Sequence, residues 1–295
     1  FTNGDNNTRV KLHQAIFSVE NETKPQPPRA IDTITRIQDF CDLNFWQADP
    51  SLSKNYILLK DHVLIFFDQL LDQSWSMTVV KHKNYVHHFY EEMKARYSNL
   101  LSFDRDQFKK EREKGNNFIK ELLDLEITHV FNFAPIGYTL NDKELAEFED
   151  SADQRRMLLD FFEKVLTGDT KFYFSDICLQ TIADEGRLVV PLHGIVELPR
   201  SERVPYLNRV VKYYEQDASR EKFKLIYTNA PRMCLVCTPE LSLIYTIDHN
   251  LENEKVHFFY GNNLGDSFLK QIEEEAGEIA VFTVEWWNDF LQRWA

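Results

Sequence analysis

Apolar residues between Phe223 and Gly277 fall first in short runs and then at helical spacing. The runs Phe223 to Tyr227, Met233 to Cys237 with Leu241 to Tyr245, and Val256 to Tyr260 are rich in aliphatic and aromatic residues and bounded by Asn, Pro, Gly or Asp. That pattern predicts strands, and the middle run is apolar enough to be buried on both faces. Phe268, Leu269, Ile272 and Ala276 then follow helical spacing, and Gly277 is the expected stop.

The first half carries helical spacing more often. After a weakly patterned strand over Val10 to Val19 and the breaker run Lys24 to Pro28, the spacing of Ile31, Ile34, Ile37 and Cys41 predicts a helix. A second is expected over Ser53 to Gln73, on Tyr56, Leu59, Val63, Phe66, Phe67, Leu70 and Leu71, and a third, capped by Asn84, on Val86, Phe89, Tyr90, Met93 and Tyr97. Asp104 with Gln107 opens a long fourth helix reaching Leu123, Asn141 with Glu144 a short one, and Met157 to Val165 a stripe ended by Gly168. From Lys171 strands return at Phe172 to Phe174 and Leu188 to Val190, followed by a helix on Leu207, Val210, Val211 and Tyr214. A strand over Ala280 to Phe282 and a last helix capped by Thr283 close the chain. The expected fold class is α+β: a flexible arm over residues 1–29, a helical N-terminal part over 30–168, and a C-terminal α/β part with a mixed sheet over 169–295.

Composition adds limits. The chain has 295 residues, 43% hydrophobic, with 23 phenylalanines, enough for a sizeable packed core. Its formal net charge is −13, which repels polyanions, so neither direct nucleic acid contact nor an acidic membrane is expected. Four cysteines are too few for a disulfide scaffold and fit reduced thiols in a cytoplasmic protein, and no apolar run approaches the ~20 residues of a membrane span. The triplets at Asn6 and Asn21 read as chance matches to a glycosylation signal. The chain starts with Phe1 rather than Met, consistent with a fragment.

Candidate chemistry is sparse. Cys234 and Cys237 have redox or zinc spacing, but on a strand residues three apart face opposite sides, so buried core thiols are the preferred reading. His82, His87, His88, Glu91 and Glu92 share a helix without the two-His-and-Glu metalloprotease pattern, and a solvated face is preferred to metal. No phosphate-cradling loop or nucleophile elbow occurs; no catalytic residue, metal or cofactor is assigned. What remains is Pro191 to Tyr206, which leaves a strand and enters a helix with Arg200, Arg203 and Arg209 near its start. Together with Arg232 they could form an anion pocket, or they could pair with Glu197, Glu202 and Glu240. The candidate ligand-binding residues are therefore His193, Arg200, Arg203, Tyr206, Arg232, Tyr245 and Tyr260, for a small anionic ligand.

Val190 to Gly194, the helix entry from Pro199 to Tyr214, Leu241 to Tyr245 and the closing Val284 to Trp294 resemble effector regions of helix-turn-helix transcriptional regulators of Gram-positive bacteria. The resemblance covers roughly residues 170–295 and implies a ligand-sensing, dimerising module whose DNA-binding domain precedes it. This chain departs from that class in lacking a recognisable helix-turn-helix or basic recognition helix. A homodimer through the last helix, with Trp286 at its rim, follows as an expectation; the alternative is an enzyme of unrecognised type acting on a small anionic substrate.

Overall fold

The computed structural model describes residues 10–17, 41–48, 55–146, 151–216, 221–227, 232–248, 250–260, 264–275, 279–281 and 283–293. The helix expected over Ile31 to Cys41, apart from Cys41 itself, the stop at Gly277, the closing Trp294 and both Asn-x-Thr triplets lie outside them. The chain divides into two compact units, a smaller one centred on Asn44–Leu101 and a larger one built mainly from Ser102–Ala295.

The smaller unit is largely strand. β1 (Val10–Phe17), β2 (Cys41–Ala48), β3 (Asn55–Leu59), β4 (Val63–Gln69) and β5 (Trp75–Val80) precede α1 (Lys83–Arg96) and β6 (Tyr97–Leu100). Sheets of order β1-β2-β6 and β3-β4-β5 result. The helix expected over Ser53 to Gln73 is thus corrected to β3, β4 and their turns. Its apolar residues form two continuous runs, Tyr56 to Leu59 and Val63 to Phe67, from which helical spacing picks out only a subset. Asp61 at φ 59° and Gln73 at φ 65° bend the backbone left-handed in the two hairpin loops, where Asp72 accepts from the Ser74 amide at 3.0 Å. Tyr56 and Phe66 meet the Phe89 ring of α1 edge-on at 5.1 and 5.4 Å, so the helix expected from Asn84 is present and covers one face of this meander. It starts at Lys83, so Asn84, the expected cap, lies inside it, and Tyr97, expected on its apolar stripe, begins β6 instead.

In the larger unit, β7 (Ser102–Phe103) leads to α2 (Arg105–Glu113), where Asp104 accepts from the Gln107 amide at 2.8 Å and Gln107 reciprocates. The long helix expected here is broken. Gly115 turns at φ 95° and Asn117 caps a separate α3 (Phe118–Asp124). β8 (His129–Asn132), α4 (Asp142–Leu145, boxed by Asn141 and Glu144), α5 (Ala152–Thr167, ending at Gly168) and β9 (Lys171–Ser175) follow. Next come α6 (Asp176–Glu185), a hairpin of β10 (Arg187–Val190) and β11 (Gly194–Glu197), and α7 (Arg200–Gln216). β12 (Phe223–Ile226), β13 (Met233–Cys237), β14 (Leu241–Ile247), β15 (Glu254–Tyr260), α8 (Leu264–Glu275), β16 (Ile279–Val281) and α9 (Val284–Gln292, capped by Thr283) complete it.

Eight strands form one mixed sheet in the order β16-β12-β9-β8-β13-β14-β15-β7. β8, β9 and β12 run parallel, and the remaining pairings are antiparallel. The fold is therefore α+β around a large mixed sheet, which draws strands from both sides of residue 168. Every residue of β13 is buried; Cys234 and Val236 enter one core, whereas Met233, Leu235 and Cys237 enter the core on the opposite face under Phe268 and Ile272 of α8. In α9, Trp287, Phe290 and Leu291 are buried, and Trp286 is half-buried with its ring stacked on Phe290 at 5.3 Å.

Candidate functional site

The arginines grouped in sequence are separated by their partners. Arg203 donates to the carbonyls of Leu198, Ala183 and Asp184, the last two in the closing turn of α6, and Arg232 lies 3.6 Å from Glu185 in that same turn. Arg203 thus meets the negative end of the α6 dipole, an interaction worth roughly 0.3–1 kcal/mol, whereas Arg232 faces the Glu185 carboxylate. Gly186 ends that helix at φ 68°, and Arg203 fills the space a Cβ would take. Arg209 makes a bidentate pair with Glu144, at 2.8 and 2.6 Å. Arg200 is exposed at the start of α7.

The other expected residues lie in different places. Tyr245 donates to Glu254 at 2.8 Å, deep in the sheet, and the same buried carboxylate accepts from the Leu192 amide at 2.9 Å and from Arg105 at 2.8 and 2.5 Å. That web holds Leu192 at φ 63° in the β10–β11 turn, with His193 next to it donating to the Pro191 carbonyl at 2.9 Å. Tyr206 is buried in the core on α7, whereas Tyr260 is 65% exposed at the end of β15, too open to form a wall with it.

Among the described residues, Cys178, Cys234, Cys237 and the Ser–His pair considered for nucleophilic chemistry are buried. Ser102 Oγ and His257 Nδ1 share a 2.8 Å hydrogen bond, the pairing a hydrolase would need, but both residues are 0% exposed. Burial lowers His257 to about 3, so it is a neutral core group. Burial likewise pushes Cys234 and Cys237 up to about 12 and Cys178 further still, which leaves these thiols protonated and inert. The three are free and buried, and Cys234 and Cys237 diverge to opposite sheet faces. Among the described residues no group of three or more His, Cys, Asp or Glu side chains is placed to hold a metal. On α1, His87 instead lies 3.0 Å from Asp61 at the surface.

A different place has the features of a binding site. The chain runs β8 to β9 to β12 in one direction across the sheet and then crosses to β13 on the far side of β8, so a topological switch lies between β8 and β13. In open parallel α/β sheets, ligands bind at such a reversal, outside the carboxyl ends of the strands; here β13 is antiparallel, so the carboxyl end of β8 meets the amino end of β13. Asn132 ends β8 there, opposite Cys234 of β13, and Arg232 immediately precedes β13. Asn132 is 1% exposed, and its Oδ1 is buried without a hydrogen-bond partner; Asp176 Oδ1, one residue past the end of β9, is in the same state. Leaving such an acceptor unmet costs about 1–3 kcal/mol. Cys178 joins the cluster, donating to the Ala134 carbonyl at 2.9 Å, with Arg232 near enough to oppose part of its upward shift.

Behind Asn132 a cavity of about 10 Å³ is lined by Tyr138, Thr139, Cys178 and Tyr206, room for at most one water. Of the expected ligand residues, Tyr206 lines the cavity and Arg232 is near enough to act on Cys178. Asn132 and Asp176 were not anticipated. The available signal was an amide closing the apolar run His129 to Asn132, and a Ser-Asp pair directly after the strand Phe172 to Phe174.

No protein-family model and no curated protein matches the chain. Among solved structures, a chain from "Structure of TrmBL2, an archaeal chromatin protein, shows a novel mode of DNA binding" aligns over 73% of this chain and 77% of its own length. The identity is 13% and the TM-score 0.24.

Proposed function

We propose that the chain is a binding module without catalytic activity: the ligand-sensing and dimerising effector part of a bacterial one-component transcriptional regulator. The observation that carries the reading is the unmet Asn132 carbonyl at the switch point, flanked by Asp176 and Arg232. A small ligand with an anionic group would exchange with Glu185 for Arg232 at the surface of this region, and a single water in the cavity would link it to the Asn132 carbonyl. Inert thiols and a fully buried Ser102–His257 pair support binding over turnover. No helix of the described residues is long and apolar enough to cross a membrane.

The test is a thermal-shift screen with small carboxylates and phosphates, each at millimolar concentration. A compound that binds only the folded state at 100 times its Kd adds about 2.7 kcal/mol of stability. The reading expects at least one to raise Tm in the unmodified chain and to lose that effect in Arg232→Ala. An effect that survives Arg232→Ala and Asn132→Asp would move the site elsewhere.

A further inference from the structure

The β3-β4-β5 meander has two faces of unequal fate. Strand alternation and register place Leu64, Phe66 and Tyr56 toward α1 and put Ile57, Leu59, Ile65, Trp75, Met77 and Val79 together on the other face. Ile65 is paired with Ile57 on one side and Val79 on the other, so the patch is continuous across all three strands. Apart from Ile65, its members are 44% to 62% exposed. At about 150–250 Å² for a large side chain, half uncovered, this amounts to roughly 600 Å² of apolar surface, at the upper end of what a monomer ordinarily leaves bare.

The chain's own composition selects the occupant. Among the described residues, the large apolar side chains exposed outside this unit are Ile177, Tyr227 and Tyr260, which lie in separate elements and form no matching surface. A chain of net charge −13 also repels its own copies except where charge is absent, and no charged residue occupies this face of the three strands. An area near the ~800 Å² per partner of a standard interface suits a self-complementary contact in which the same patch faces itself across a two-fold axis.

We propose that a second copy of this chain covers the face, the two meanders stacking into a β-sandwich with each α1 on the outside. This rests on the dimerising half of the function proposed above and relocates the contact from α9, where Trp286 is engaged with Phe290.

Sedimentation velocity at tens of micromolar tests it. The unmodified chain is expected to be a dimer, Met77→Glu and Ile57→Glu to raise the dimer dissociation constant at least 100-fold, and Lys94→Glu, on the exposed side of α1, to leave it unchanged. Two variants on different strands guard against one misfolding, and far-ultraviolet circular dichroism of each dilute variant must match the parent. A monomeric parent overturns the proposal, as does a dimer that both variants leave intact or a monomer that floats with phosphatidylcholine vesicles. Ligand shifts measured on Met77→Glu keep the outcomes apart, since sensing can persist in a monomer and dimerisation can persist without a ligand.

Discussion

The large sheet and the small meander are built from similar residues, yet they solve burial differently. Around β13 and β14, helices lie on both faces, so almost every side chain is inside whichever way it points. The β3-β4-β5 sheet has a helix on one face, and its outward residues Ile57, Met77 and Trp75 stay open. Equal hydrophobicity therefore has a different outcome in the two places: core in one, uncovered surface in the other.

The comparison can be broken most severely in the large sheet. Leu235→Ala, at a position 0% exposed, should cost about 2–5 kcal/mol in urea unfolding through lost burial and a residual cavity. A cost under 1 kcal/mol would mean that β13 is not the centre of the core. Gly186→Ala comes next, at roughly 2–3 kcal/mol, because φ 68° is strained for alanine and the new Cβ displaces Arg203 from the end of α6. Gly186→Asn, which tolerates that φ better, should be no milder if displacement of Arg203 dominates.

Acid should act on the large sheet through His257. Its folded-state value is depressed to about 3 while the unfolded chain takes up a proton near 6.5, so its contribution is complete above pH 6.5 and fades as pH falls. One proton gives a slope of about 1.4 kcal/mol per pH unit, or some 2 kcal/mol by pH 5. Stability measured from pH 7 to 5 should flatten by one proton in His257→Gln; an unchanged slope would show that the ring is accessible when folded.

The smallest effect belongs to the meander. Met77→Ser, at a position 62% exposed, should change folding stability in dilute solution by less than about 0.5 kcal/mol. A loss comparable to that of Leu235→Ala would place Met77 in a core and remove the contrast.

What the sequence determined by itself was whatever rests on neighbours in the chain. The caps at Asp104, Asn141 and Thr283 were legible because their hydrogen bonds close within three residues. The strands from Phe223 to Tyr260 were legible because aliphatic runs between turn residues leave few alternatives, and the opposed facing of Cys234 and Cys237 follows from the pleat alone. The runs between Tyr56 and Phe67 were ambiguous, since a continuous apolar stretch satisfies a helical template and a strand alike, and pairing across β4 decided the matter. Only the tertiary structure could disperse the arginines, because Arg209 finds Glu144 and Arg203 the end of α6 across intervening elements. It also brought Asn132, Asp176 and Arg232 to one sheet edge. Long-range partners set both which charges are consumed and which apolar face is left uncovered, and local spacing carries no record of either.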